Sequence, residues 1–258
     1  MDLELRNKNV LITGGSKGIG LACARAFLAE GARVAIVSRT QAHLDEARRT
    51  LGDVFCTAAD LSNASAAALM IKRTEAEFGP VDILVNSAGA AQISMVDELS
   101  PAVWHAAMAA KYFTAIHVID PLIKRMDERG AGAIINIIGT GGKFPTPTHL
   151  PGGAANAALM LVTAGLANAY AAKGVRVVGL SPGATNTERV ALGVKAEARR
   201  LGLSEEQALD SMMRSLPLGR FAEPEEIADL VVFAASERGR YLTGANIVVN
   251  GAATPSVV

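Results

Sequence analysis

Seven short apolar runs alternate with longer stretches of helical periodicity, and this alternation constrains the fold more than any other feature of the chain. The runs are NVLIT (9–13), RVAIVS (33–38), VFCTAA (54–59), DILVNS (82–87), AIINII (133–138), RVVGLS (176–181) and NIVVN (246–250). Each has the length of one strand and is bounded by Gly, Asn or Asp, so each reads as a buried strand. Between them lie segments such as GLACARAFLAEG, PEEIADLVVFAAS and GGAANAALMLVTAGLANAYAAKG, whose apolar residues recur at helical spacing. The expected architecture is α/β: a doubly wound parallel sheet of about seven strands with helices on both faces. In such a sheet ligands bind at the carboxyl ends of the strands, so the loops after each run are where function is sought.

Composition agrees. Half of the 258 residues are hydrophobic, 19% are charged and only 4% are aromatic, which suits Val/Ile/Leu strands under Ala-rich helices. Lys+Arg and Asp+Glu number 25 each, which argues against a nucleic acid or an anionic membrane as partner and for a small-molecule substrate. Cys23 and Cys56 read as small buried hydrophobes, and His43, His105 and His117 lack ligand spacing, so no metal is expected. The start MDLELRNKNV is charged, and no apolar run reaches about 18 residues, so neither a signal peptide nor a membrane span is expected and the cytoplasm fits. No linker divides the chain, which reads as a single domain, 1–258. Its one irregular region, 187–220, has two helically spaced stretches and reads as a lid or as a surface excursion.

The first run leads into Thr13-Gly14-Gly15-Ser16-Lys17-Gly18-Ile19-Gly20, which opens a helical stretch. Glycines there permit a tight turn and close approach of a ligand, so a pyrophosphate fits on the free N–H groups of Gly14, Ser16, Lys17, Gly18, Ile19 and Gly20. The second run ends in Ser38-Arg39, where an NAD-binding chain usually has a carboxylate for the ribose hydroxyls. An arginine there suits a 2′-phosphate, and Lys17 adds a second cation, so NADP(H) is favoured over NAD(H).

Further landmarks follow in order. Asp60-Leu61 comes after the third run and Asn86-Ser87-Ala88-Gly89 after the fourth. Ser181-Pro182-Gly183 with Thr187, Leu218-Gly219-Arg220, Glu223-Pro224-Glu225-Glu226-Ile227 and Tyr241-Leu242-Thr243-Gly244 complete the set. Over nearly its whole length the chain thereby resembles the short-chain dehydrogenase/reductase family. The resemblance implies a Rossmann-type fold, with Asp60 and Leu61 at the adenine and Asn86, Ala88 and Gly89 along the cofactor. Pro182, Gly183, Thr185 and Thr187 would hold the nicotinamide side. Asn86 also has a plainer reading, as a tie between neighbouring strands. A homotetramer or homodimer is implied, formed through the long helices after the fourth and fifth strands.

Family enzymes move hydride between nicotinamide and a carbonyl or alcohol carbon, with a Tyr-x-x-x-Lys pair, a Ser and an Asn handling the oxygen and its proton. By the family's spacing those four positions fall here on Gly152, Asn156, Gly139 and Lys111, so every expected side chain is replaced. Asn and Lys look exchanged between positions 111 and 156. Lys111 reads as a relocated ammonium that donates a proton or anchors an anionic substrate; the alternative is a side chain that snorkels to solvent or the ribose. Thr140 supplies a hydroxyl if the strand has ended before it, and points to the opposite face if it has not. His149 replaces the tyrosine as a group titrating near neutrality, or is an exposed loop residue without a role. Three functions remain open: an NADP(H)-dependent oxidoreductase with a rebuilt site acting on a carbonyl, alcohol or conjugated substrate, a non-catalytic NADP(H)-binding sensor or partner protein, and a lyase or isomerase using the same pocket.

Overall fold

Buried parallel strands are apolar on both sides, and the residue alternation of this chain sends the two sets of side chains into two cores. The computed structural model describes residues 1–89 and 93–254. The strands are β1 (Asn9–Thr13), β2 (Arg33–Ser38), β3 (Phe55–Ala58), β4 (Ile83–Asn86), β5 (Gly132–Ile137), β6 (Val175–Pro182) and β7 (Asn246–Val249). All pairings are parallel, in the order β3-β2-β1-β4-β5-β6-β7, so the expected doubly wound sheet is present. Every expected run became a strand, with bounds within two residues.

On one face Val10, Ile12, Val34, Ile36 and Val178 pack against α1 (Gly18–Ala29), α2 (Gln41–Leu51) and α9 (Pro224–Ala235). On the other, Leu11, Ala35, Leu84, Ile134 and Val177 meet α3 (Ala64–Phe78), α5 (Thr114–Arg129) and α6 (Leu150–Tyr170). Residues 10 to 12 thus divide between the faces by the two-residue period of a strand. Helix starts follow local chemistry: Asn63 accepts from Ala66 N–H at 3.0 Å before α3, and Ser204 and Gln207 form a capping box before α8 (Glu205–Ser215). The thiol of Cys23 lies fully buried, which pushes its pKa up to about 12 and makes it a core group.

The segment from Leu150 to Lys173 has a mean hydropathy of 1.4 and is long and apolar enough to cross a bilayer, unlike the expectation from runs of apolar residues alone. It is half buried, and Ala155, Leu159, Met160 and Ala167 place it on the sheet as a core helix. The irregular region holds α7 (Glu188–Leu201) and α8, which pack on each other through Val194, Ala198 and Ala208.

Candidate active site

The carboxyl end of β1 opens into a turn that has no room for side chains. A Cβ at Gly14, where φ is +67°, would lie 2.9 Å from Ala88 Cα, and one at Gly20 would lie 2.3 Å from Gly14 O. The turn is therefore folded tightly against the loop after β4. α1 begins at Gly18 with no side-chain cap from Lys17, so its first N–H groups face outward from the sheet edge. Ser16 is buried within this turn and Ile19 half-buried beside it. A cradle of bare backbone at an uncapped helix start fits a pyrophosphate by its own chemistry.

The lid meets this cradle. Thr187 caps α7, with its Oγ1 accepting from Arg189 N–H at 3.4 Å, and its Cγ2 lies 3.3 Å from where a Cβ on Gly18 would be. Thr185 forms a short parallel bridge with Ala222, and its hydroxyl donates to Gly183 O at 3.1 Å. Gly183 itself is required by close approach, since a Cβ there would sit 2.8 Å from Asn250 Cβ. Pro182 ends β6 just before it.

Lys17 has a carboxylate partner in this structure. Its ammonium lies 3.0 Å from the carboxylate of Glu188, the first residue of α7, in an exposed pair. The cation left open at the end of β2 is Arg39, exposed and without an ion pair among the described residues. Asp60 carries out local work, accepting from Ser62 N–H at 3.0 Å and Ser62 Oγ at 2.7 Å, and these bonds hold its pKa below the usual carboxylate value. Leu61 is buried, and its carbonyl lies 3.0 Å from His117 Nδ1. The Lys17–Glu188 pair is exposed, so its contribution is small: Glu188→Gln is expected to tighten NADPH binding by about fivefold at most, less in high salt. Isothermal titration at two salt concentrations checks this; weaker binding would show that Glu188 assists the cofactor.

Below the cradle runs a buried polar ladder. Asn86 Nδ2 donates to Asn136 Oδ1 at 2.9 Å, Asn136 Nδ2 donates to Thr163 Oγ1 at 2.9 Å, and Thr163 donates to Leu159 O at 2.8 Å. Thr13 Oγ1 accepts from Ser87 and Ala88 N–H at 3.2 Å each. Asn86 therefore ties β4 to β5, and through β5 to α6, fixing the loop that carries Ala88 and Gly89.

The four replaced positions come together. α4 (Pro101–Met108) and α5 are joined by a π-helical turn, Ala109–Phe113, which contains Lys111. Such turns widen a helix locally and recur at functional sites. Lys111 Nζ donates to Asn156 Oδ1 at 2.7 Å, so the ammonium does not snorkel away. Asn156 is buried on α6, one turn after the buried Gly152. Its Nδ2 lies 3.1 Å from where a Cβ on Gly139 would be, so the amide fills the space opposite the serine position. Burial, with a smaller contribution from the charge of Arg189, lowers the Lys111 pKa to about 8.

β5 ends at Ile137, and Thr140 opens a 3-10 turn over Thr140–Gly142. The strand geometry that would have turned its hydroxyl away does not apply. His149 departs from the sequence expectation. It precedes α6 half-buried, and burial together with the charges of Lys111 and Arg189 lowers its pKa to about 4. It is a neutral imidazole at pH 7 and does not titrate near neutrality. Sequence reasoning missed Arg189 altogether: its Nη1 donates to Gly89 O at 3.3 Å. The signal available was its place two residues after Thr187, at the start of the lid.

A parallel sheet with an uncapped, glycine-lined helix start at its carboxyl edge defines a Rossmann-type nucleotide-binding protein. Comparison with known proteins makes this specific. The short chain dehydrogenase model matches residues 8–197. D-threitol dehydrogenase of Mycolicibacterium smegmatis is 34% identical over 260 residues, covering 98% of this chain and 95% of that one. Galactitol 2-dehydrogenase (L-tagatose-forming) of Cereibacter sphaeroides is 34% identical, covering 94% and 93%. Among solved structures, L-sorbose reductase from Gluconobacter frateurii, in complex with NADPH and L-sorbose, superposes with a TM-score of 0.91 at 30% identity over 100% of both chains. The chain belongs to the short-chain dehydrogenase/reductase family, and these relatives are oxidoreductases.

Proposed function

We propose that the chain is an NADP(H)-dependent oxidoreductase that reduces a carbonyl, or oxidises the matching alcohol, of a small molecule, with Lys111 as the proton donor. A conjugated substrate, whose charge is delocalised, would need that donor least. The observation that carries this reading is the Lys111–Asn156 contact, set beside the nucleotide cradle and facing Gly139. A bound nicotinamide supplies hydride in the reductive direction. Lys111 then gives one ammonium proton to the substrate oxygen: its N–H bond breaks, an O–H bond forms, and the amine recovers a proton from water. Asn156 Oδ1 orients the ammonium by accepting a different proton. A pKa of about 8 leaves Lys111 charged at pH 7 yet ready to release its proton. Thr140 and neutral His149 would donate further hydrogen bonds to the same oxygen.

The Gly14, Ser16, Gly18 to Gly20 backbone would hold the pyrophosphate, and Ser38 and Arg39 the 2′-phosphate. Titration of cofactor-free protein is expected to give an NADPH dissociation constant at least about tenfold below that for NADH, with the preference lost in Arg39→Asp. If neither nucleotide binds, the oxidoreductase reading is wrong.

Glycine at positions 139 and 152 favours a second reading, an NADP(H)-binding sensor or partner protein that performs no chemistry. NADPH oxidation in step with substrate reduction separates the two, and product formed without NADPH consumption would mark a lyase or isomerase. We further propose a cytoplasmic homotetramer or homodimer, supported by Trp104, Phe113 and Leu161, large apolar side chains left exposed on α4, the π turn and α6. Light scattering on Leu161→Glu tests it, with dissociation as the expected result.

A further inference from the structure

We infer that the substrate of this site is an oxyanion, a carboxylate or phosphate, whose charged group is held by Arg189 from the lid beside Lys111. This names a substrate class for the pocket proposed above and rests on that reading of the pocket.

Three basic side chains converge there from three elements. Arg189 extends from the first turn of α7 to Gly89 O, and Gly89 in turn lies against the π turn: a Cβ on it would fall 2.9 Å from Ala110 O and 3.3 Å from Lys111 Cα. A Cβ on Gly141 would lie 3.7 Å from both Asn156 Nδ2 and His149 Cδ2, which puts the imidazole on the same floor. The charge of Arg189 is felt at both Lys111 and His149, lowering both pKa values, and the charge of Lys111 is felt at His149. Among the described residues, none of the three pairs with an aspartate or glutamate.

Two other arginines of the lid differ. Arg199 pairs with Glu98 at 2.7 Å, and Arg200 with Glu197 at 2.5 Å. Both border a cleft of about 330 Å³ that opens between Met95–Asp97, Pro147–Thr148 and the end of α7. The cations bordering that cleft are thus paired with carboxylates, whereas among the described residues Lys111 and Arg189 are not. Among the described residues Arg189 uses a single N–H, on the carbonyl of Gly89, so the rest of its fork is offered to a ligand. Like charges held together without a counter-charge are unfavourable by themselves, and an anion placed among them turns the repulsion into attraction. A planar guanidinium matches two oxygens of a carboxylate or phosphate, while the Lys111 ammonium reaches the carbonyl oxygen nearby.

The test uses cofactor-free protein and small probes at pH 7, followed by isothermal titration: oxalate, its uncharged analogue oxamide, and inorganic phosphate. Wild type is expected to bind oxalate and not oxamide. Arg189→Gln should weaken oxalate binding by about tenfold or more with an unchanged melting temperature, and Arg189→Lys should recover part of it. Oxalate binding should also weaken as pH rises through about 8, where Lys111 loses its charge among Arg189, His149 and Asn156. Phosphate bound more tightly than oxalate, and sensitive to the same variant, would assign the anion as a phosphoryl group. The inference is overturned if oxalate fails to bind, if oxamide binds equally, or if Arg189→Gln leaves oxalate binding unchanged. NADPH titration on the same samples is independent: its failure would sink the oxidoreductase reading while an Arg189-dependent anion site stood.

Discussion

Lys111→Met is expected to lower kcat by roughly 10²- to 10⁴-fold while leaving the NADPH dissociation constant within about twofold of wild type. Methionine keeps the length and apolar contacts of the lysine stem and removes only the ammonium, so the lost factor measures the proton and its charge. The wild-type pH profile gives a second readout. Lys111 holds its proton below about pH 8 and releases it above, so carbonyl reduction should fall as pH rises through about 8. Alcohol oxidation needs the neutral amine and should rise through the same range. His149 contributes no step between pH 6 and 8, because its own titration lies near 4. Unchanged kcat in Lys111→Met, or a reductive profile flat from pH 7 to 9, would remove Lys111 from the chemistry.

Arg176→Met is expected to destabilise the fold by about 3–5 kcal/mol, a scale set by removing a half-buried charge whose two terminal nitrogens bond backbone carbonyls. Arg176 is the second residue of β6, and its guanidinium reaches the C-terminal end of α9. Nη1 donates to Ala234 O at 2.8 Å, Leu242 O at 3.0 Å and Gly239 O at 3.1 Å, while Nη2 donates to Ala235 O at 3.0 Å and Ser236 O at 3.3 Å. These include carbonyls that a helix end leaves without partners, and the positive charge sits at the negative end of the helix. Differential scanning calorimetry should show a melting temperature lower by roughly 10 °C, with Arg176→Lys recovering the charge but not the fork. A loss below about 3 °C would mean that water replaces the guanidinium without penalty.

The sheet was legible because a strand buried on both faces has no choice but to be apolar throughout. NVLIT and RVVGLS carry that pattern undiluted, and the glycine turn marks which strand comes first. The ends were less legible: VFCTAA shortens to Phe55–Ala58, since pairing with β2 covers only four residues there. The convergence of Lys111 and Asn156 could be read from the family's spacing, although Lys111 falls in a π-helical turn and only Asn156 on a helix of regular pitch. What could not be read depends on contacts between distant segments. Nothing local in the SPGAT segment (181–185) or in the lid announces that Lys17 answers Glu188, that Arg189 reaches Gly89, or that Arg176 closes α9. His149 looked like a neutral-range titrating group because its burial and its two cationic neighbours are properties of the fold.

The contact between positions 111 and 156 also limits which pairs of side chains this floor can hold. Starting from the family's arrangement, with Asn at 111 and Lys at 156, gaining Lys111 first would set two ammonium ions within hydrogen-bonding reach of each other. Losing the lysine at 156 first leaves two amides facing one another, which can still hydrogen-bond. The amide of Asn156 fills the space over Gly139, so a serine side chain at 139 would require that amide to shift. Two amides at positions 111 and 156 are therefore easier to hold in this floor than two ammonium groups, and the ammonium–amide pair present here avoids that repulsion.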